Sequence, residues 1–129
     1  MIEDTRWFRP GVPLRPERVN LTVPARYRAA GEEHWHLGRT ENISRAGVLI
    51  RGVRLFGRSS SIEASMNVPA GILPNITDDI LIIGTVARLV PALGNGPAGI
   101  AIAFERYRPA DERERTGASG AADEPKQGI

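Results

Sequence analysis

Between Arg18 and Tyr107 the chain reads as successive short stretches in which apolar and polar residues alternate, the period of a half-buried strand. Arg18–Ala29 sets Val19, Leu21 and Val23 on one face and Asn20 and Thr22 on the other. A second stretch spans His34–Ile43. In Gly47–Val53, Val48 and Ile50 oppose Leu49 and Arg51. In Ser61–Val68, Ile62, Ala64, Met66 and Val68 alternate with Glu63, Ser65 and Asn67. Ile80–Val90 is the fifth stretch, and Gly99–Tyr107 the sixth, with alanines between Ile100, Ile102 and Phe104. Turn signals separate them: Gly31-Glu32-Glu33, Arg45-Ala46-Gly47, Gly57-Arg58-Ser59-Ser60 and Leu93-Gly94-Asn95-Gly96-Pro97. No amphipathic helix is evident. Short strands at even spacing predict an all-β fold, a small antiparallel barrel or sandwich of six strands. Closure into a barrel removes exposed edges.

The flanks differ. Residues 1–17 carry Pro10, Pro13 and Pro16 with Gly11 between, which excludes helix and predicts an extended arm. The barrel is expected over 18–108. Residues 109–129 begin with alternating charges, Asp111 to Arg115, where a short helical turn fits, and continue as a Gly/Ala/Ser-rich tail expected to be disordered. A length of 129 residues fits one domain. With no cysteine there is no disulfide scaffold, thiolate nucleophile or cysteine-ligated metal. The start lacks an apolar targeting segment, and the longest aliphatic run, Ile80 to Ile83, is too short to span a bilayer. A cytoplasmic protein with no membrane insertion is expected.

The net charge of +2 conceals a cluster: from Arg6 to Arg58 there are 11 arginines against 4 acids. Arginine in that density suits an anion, because its planar fork fits phosphate and carboxylate bidentately. A genome rich in GC explains the same bias equally well. Asn42-Ile43-Ser44-Arg45-Ala46-Gly47 is the most informative stretch. On a strand Asn42 and Ser44 point to one side, and Gly47 is expected to take a backbone conformation other residues avoid. Alone, the spacing describes any strand–turn with a Ser or Asx bond.

Neighbouring blocks give it meaning. Arg15-Pro16-Glu17-Arg18 and Val19–Tyr27 precede it; Gly47-Val-Leu-Ile-Arg51, Gly84-Thr-Val-Ala-Arg88 and Gly99-Ile-Ala-Ile-Ala-Phe104 follow. In order and spacing, residues 15–107 resemble the PilZ domain family. The resemblance implies a six-stranded antiparallel PilZ-like β-barrel and binding of the bacterial second messenger cyclic di-GMP. The family's ligand signature pairs Arg-x-x-x-Arg on the entering arm with Asp/Asn-x-Ser-x-x-Gly. The second part is complete here as Asn42, Ser44 and Gly47. In the first, Arg18 takes the second arginine's place, but Leu14 stands at the first, with Arg15 beside it. The resemblance implies Arg15, Arg18, Asn42, Ser44 and Gly47 as ligand residues, with Arg9 and Arg88 as further candidates. It implies no cofactor besides the ligand, and an unidentified protein effector in motility, adhesion or exopolysaccharide control; no enzyme activity is expected, because no nucleophile, base and oxyanion set can be assembled from these residues. A degenerate PilZ-fold adaptor that binds no nucleotide is the alternative. A basic barrel for nucleic acid is a weaker third, because the aromatic residues form no evident stacking platform.

Three other features bear on function. His34-Trp35-His36 sets two imidazoles on one strand face, but with no third ligand in view no metal site is expected. Asp78-Asp79 is expected in a solvated turn. Trp7-Phe8 pins the arm either to the barrel or to a partner.

Overall fold

The first expected strand is broken in two, so six stretches become seven strands. A computed structural model of the chain describes residues 7–10 and 17–114. Its strands are β1 (Val19–Asn20), β2 (Pro24–Ala29), β3 (His36–Ile43), β4 (Gly47–Gly52), β5 (Ser61–Leu73), β6 (Ile76–Val90) and β7 (Gly99–Pro109). β1 and β2 both pair with β3, at Asn42–Ile43 and His36–Arg39 respectively. The break between them is a side-chain effect. The Thr40 hydroxyl accepts the Val23 N–H at 3.0 Å and donates to the Leu21 carbonyl, while the Thr40 N–H donates to the Val23 carbonyl at 2.9 Å. A buried hydroxyl thus completes the backbone pairing where the ladder is interrupted.

Every pairing is antiparallel, and the pairings return on themselves: β3 to β2, β5, β6, β7, β4 and back to β3. The fold is therefore an all-β barrel, as expected. One face of each strand fills it. On β5, Ile62, Ala64, Met66 and Val68 are fully buried, and β6 and β7 answer with Ile80, Ile82, Val86, Ile100, Ile102 and Phe104. Aliphatic residues at period two supply most of this core.

β5 and β6 run past the expected boundaries to a turn at Pro74-Asn75, with register shifted between Val68 and Leu73. Asp78 and Asp79 are therefore strand residues opposite Val68 and Asn67, and not a free turn as expected. At the other end, β7 continues into a single 3-10 turn, Glu112–Glu114. Arg108 clamps that turn with two bonds of 2.8 Å to the Glu114 carboxylate. Expectations for the rest of the arm and of the tail fall outside the described residues. Among the described residues no helix is long and apolar enough to cross a membrane.

Tyr27 closes one end of the core, its hydroxyl donating to the Arg54 carbonyl at 2.6 Å. Removing that bond in Tyr27→Phe is expected to cost about 1 kcal/mol at neutral pH. Burial raises the Tyr27 and Tyr107 phenols above their ordinary value. Above about pH 10 the unfolded chain loses phenolic protons that the folded chain retains, so stability falls as pH rises. Urea midpoints should hold level below that point and decline above it, less steeply in Tyr27→Phe. A decline of the same slope in the variant would remove Tyr27 as a contributor.

Candidate functional site

The strand–turn that follows β3 is built by Ser44. Its N–H donates to the Gly47 carbonyl at 2.8 Å, and its Oγ accepts the N–H groups of Ala46 at 3.1 Å and Gly47 at 3.2 Å. This is the Ser-turn bonding that a plain strand–turn also shows. The Ser44 O–H donates to no group among the described residues, so the hydroxyl keeps its donor. Two positions earlier on β3, half-buried Asn42 makes no side-chain hydrogen bond among the described residues. It pairs through the backbone with Asn20 of β1 and Leu49 of β4.

These residues border a groove of about 190 Å³ whose lining also includes Arg18, Gly47 and Arg88. Arg18 leads into β1 and Arg88 lies on β6; both are exposed, and neither has an ion-pair partner among the described residues. Ala87, Ala101 and Ala103 line the same groove. Sequence reading passed over these alanines as spacers between core residues. The signal was there: Ile100-Ala-Ile-Ala-Phe104 places a minimal side chain at each position between core residues. A larger concavity of about 740 Å³ adjoins through Ser44 and is lined by Glu17, Val19, Arg45 and residues 70–77 of the β5–β6 hairpin.

Five candidate residues thus converge, from the arm's end, β3, the turn, β4 and β6. Arg9 is exposed beside Phe8 and is not among the residues lining the groove. Arg15 lies outside the described residues. Gly47 needs a correction. Its φ is not left-handed; the described glycines of that kind are Gly31, Gly71 and Gly94. Glycine is required at 47 because a Cβ there would lie 2.5 Å from the Ile102 carbonyl oxygen of β7. The requirement belongs to barrel packing.

His34 and Trp35 precede β3, which starts at His36. The His36 Nε2 sits 3.2 Å from Glu32, its ring packs near Tyr27 and Phe56, and no cluster of three metal-ligating residues exists among the described residues. Trp35 lies under the guanidinium groups of Arg26 and Arg28, at 5.0 and 4.1 Å. Trp7-Phe8 docks on the barrel: Phe8 forms an antiparallel bridge with Tyr107.

This is a PilZ-like β-barrel, the class of fold that the sequence resemblance implied. Among solved structures, the chain is similar to the Bacillus subtilis inhibitor of motility MotI/DgrA, with a TM-score of 0.57 and 14% identity over 73% of this chain and 43% of that one. It spans less than half of that protein's length. It is also similar to the PilZ domain of CeSA from a cellulose-synthesizing bacterium, with a TM-score of 0.48 and 18% identity over 67% of this chain and 79% of that one. At 14% identity the likeness to MotI/DgrA is one of fold. No protein-family model matches the chain, and no curated protein matches it.

Proposed function

We propose that this chain is a non-enzymatic receptor module for cyclic di-GMP, which it binds in the groove between Arg18, Asn42, Ser44 and Arg88. The convergence of those residues on one groove carries the reading. A cyclic dinucleotide offers two phosphates and two guanine edges, each with paired acceptors. The arginine fork matches both groups, and here two forks with no ion-pair partner among the described residues flank an amide and a hydroxyl donor that make no hydrogen bond among those residues. Alanines at the groove floor let a flat base approach the strand backbone. Arg15, adjacent to the position where the family places its first arginine, supplies the remaining fork as the arm closes. Asn42 reads a guanine edge, and Ser44 donates to base or phosphate. Closure of the arm then presents a changed surface to a protein effector, in motility, adhesion or exopolysaccharide control.

Isothermal titration with cyclic di-GMP at physiological salt tests this. Saturable heat with a micromolar or tighter dissociation constant is expected. Binding should soften only modestly with added salt, unlike a nucleic-acid site that neutralises many phosphates. No heat at several hundred micromolar ligand would reject the reading and leave an adaptor that binds no nucleotide.

A further inference from the structure

On β3, Thr40 lies opposite Ile50 and Ile43 opposite Val48, both core residues of β4, so Thr40 and Ile43 both face inward. Three positions apart, they cannot share a face of an unbroken strand. A β-bulge resolves the conflict. Thr40 pairs with Ile50 and Asn42 with Leu49, which leaves Glu41 as the extra residue between them. Glu41 and Asn42 therefore lie together on the outer face, both half-buried. A second bulge stands across the barrel wall. Val86 of β6 pairs with Ile102 and Arg88 with Ala101, so Ala87 is the extra residue there. Leu49 also pairs with Ala101, and Asn42, Leu49, Ala101 and Arg88 thus form one transverse row over β3, β4, β7 and β6. Each end of the row is set by a bulge, roughly 14 Å from the other along the sheet.

The extra residue of a bulge lies outside the ladder, so its place depends on other contacts. Two hold Glu41 among the described residues. Its carbonyl accepts the Leu21 N–H at 3.2 Å, beside the end of β1. Its carboxylate accepts Arg51 Nε at 2.5 Å. Arg51 is fixed in turn: it donates through Nη1 to the Pro91 carbonyl at 3.0 Å and the Pro97 carbonyl at 3.2 Å, near the two ends of the β6–β7 connection. The Glu41 side chain is 41% exposed, so the ion pair adds little to overall stability. Its consequence is local. Asn42 makes no side-chain hydrogen bond among the described residues, so the bulged backbone decides where its amide lies.

We propose that Glu41, clamped by Arg51, is a positioning residue for the groove: it fixes the bulge that turns the Asn42 amide toward the ligand. The inference rests on the nucleotide reading above and deepens it. Glu41 does not line the groove; it borders a separate hollow with Leu37, Arg39 and Val53. It acts through Asn42 and not by contact with the ligand.

The test is titration calorimetry with cyclic di-GMP on full-length wild type, Glu41→Ala, Asn42→Ala and the double variant. Glu63→Ala is the control, because it breaks an ion pair of 2.7 Å to Arg28 at residues that do not line the groove. Glu41→Ala should weaken binding about three- to tenfold, and no more than Asn42→Ala does. In the double variant it should add less than about twofold to the loss from Asn42→Ala, since both act at one point. Glu63→Ala should keep wild-type affinity. Without ligand, amide hydrogen exchange at Leu21 should quicken in Glu41→Ala and stay level in Glu63→Ala. Should Glu41→Ala fail to fold by circular dichroism, Glu41→Gln keeps the side-chain length and should show a smaller loss of the same kind. Wild-type affinity in the folded Glu41 variant, an equal loss with and without Asn42, or unchanged exchange at Leu21 overturns the positioning role and leaves cyclic di-GMP binding standing. No heat from wild type rejects the receptor reading itself, and the positioning role with it.

Discussion

Arg18→Ala is expected to weaken cyclic di-GMP binding by about one to two decades and to leave the melting temperature unchanged. The two halves of this expectation have separate causes. Arg18 is exposed and unpaired among the described residues, so the fold does not depend on it. A bidentate arginine contact to a guanine edge is worth roughly 1–3 kcal/mol, and each 1.4 kcal/mol is tenfold in affinity. Arg18→Lys separates charge from shape. Lysine restores the charge but not the fork, so most of the loss should persist. Asn42→Ala removes only neutral hydrogen bonds, and its effect should be about tenfold or less. Titration calorimetry on the four proteins reads all of this. Wild-type affinity in Arg18→Ala would sink the groove assignment, and full rescue by lysine would reduce the site to an unspecific anion patch.

The strands were legible wherever burial on one face is unbroken. Ile62, Ala64, Met66 and Val68 announce β5, and Ile100, Ile102 and Phe104 announce β7, because a core-facing strand must repeat at two. The misses come from contacts that no local pattern encodes. Nothing at Leu21–Val23 signals a break; the hydroxyl that completes it belongs to Thr40 on another strand. Pro69, Gly71, Pro74 and Asn75 are turn formers, so the hairpin beyond Val68 read as a loop. The register shift on β5 absorbs the first of them and lets the pairing resume at Leu73 and Ile76. The candidate groove was half visible. Asn42, Ser44 and Gly47 sit within one turn of sequence, whereas Arg88 and the alanines reach it only through the β4–β7–β6 order of strands.

Gly47→Ala is the substitution that separates the motif's two meanings. If glycine were needed only to keep a ligand's path clear, alanine would lower affinity and spare the free protein. The geometry argues otherwise. The added methyl would lie 2.5 Å from the Ile102 carbonyl, a backbone atom held in the β7 ladder, and cannot be relieved by a rotamer change. On the other side of β7, a Cβ on Gly84 would lie 2.2 Å from the Ala103 carbonyl. β7 is thus gripped between two glycines at neighbouring residues, and it has no direction in which to retreat. Overpacking of this kind costs roughly 1–3 kcal/mol. For a domain of this size that lowers the melting temperature by about 5–20 °C with no ligand present. A thermal scan of the ligand-free protein decides. A melting temperature equal to wild type would return Gly47 to the ligand. The expected drop makes the glycine a condition of barrel closure, and affinity then falls because Ser44 and Asn42 lose the turn and strand that hold them.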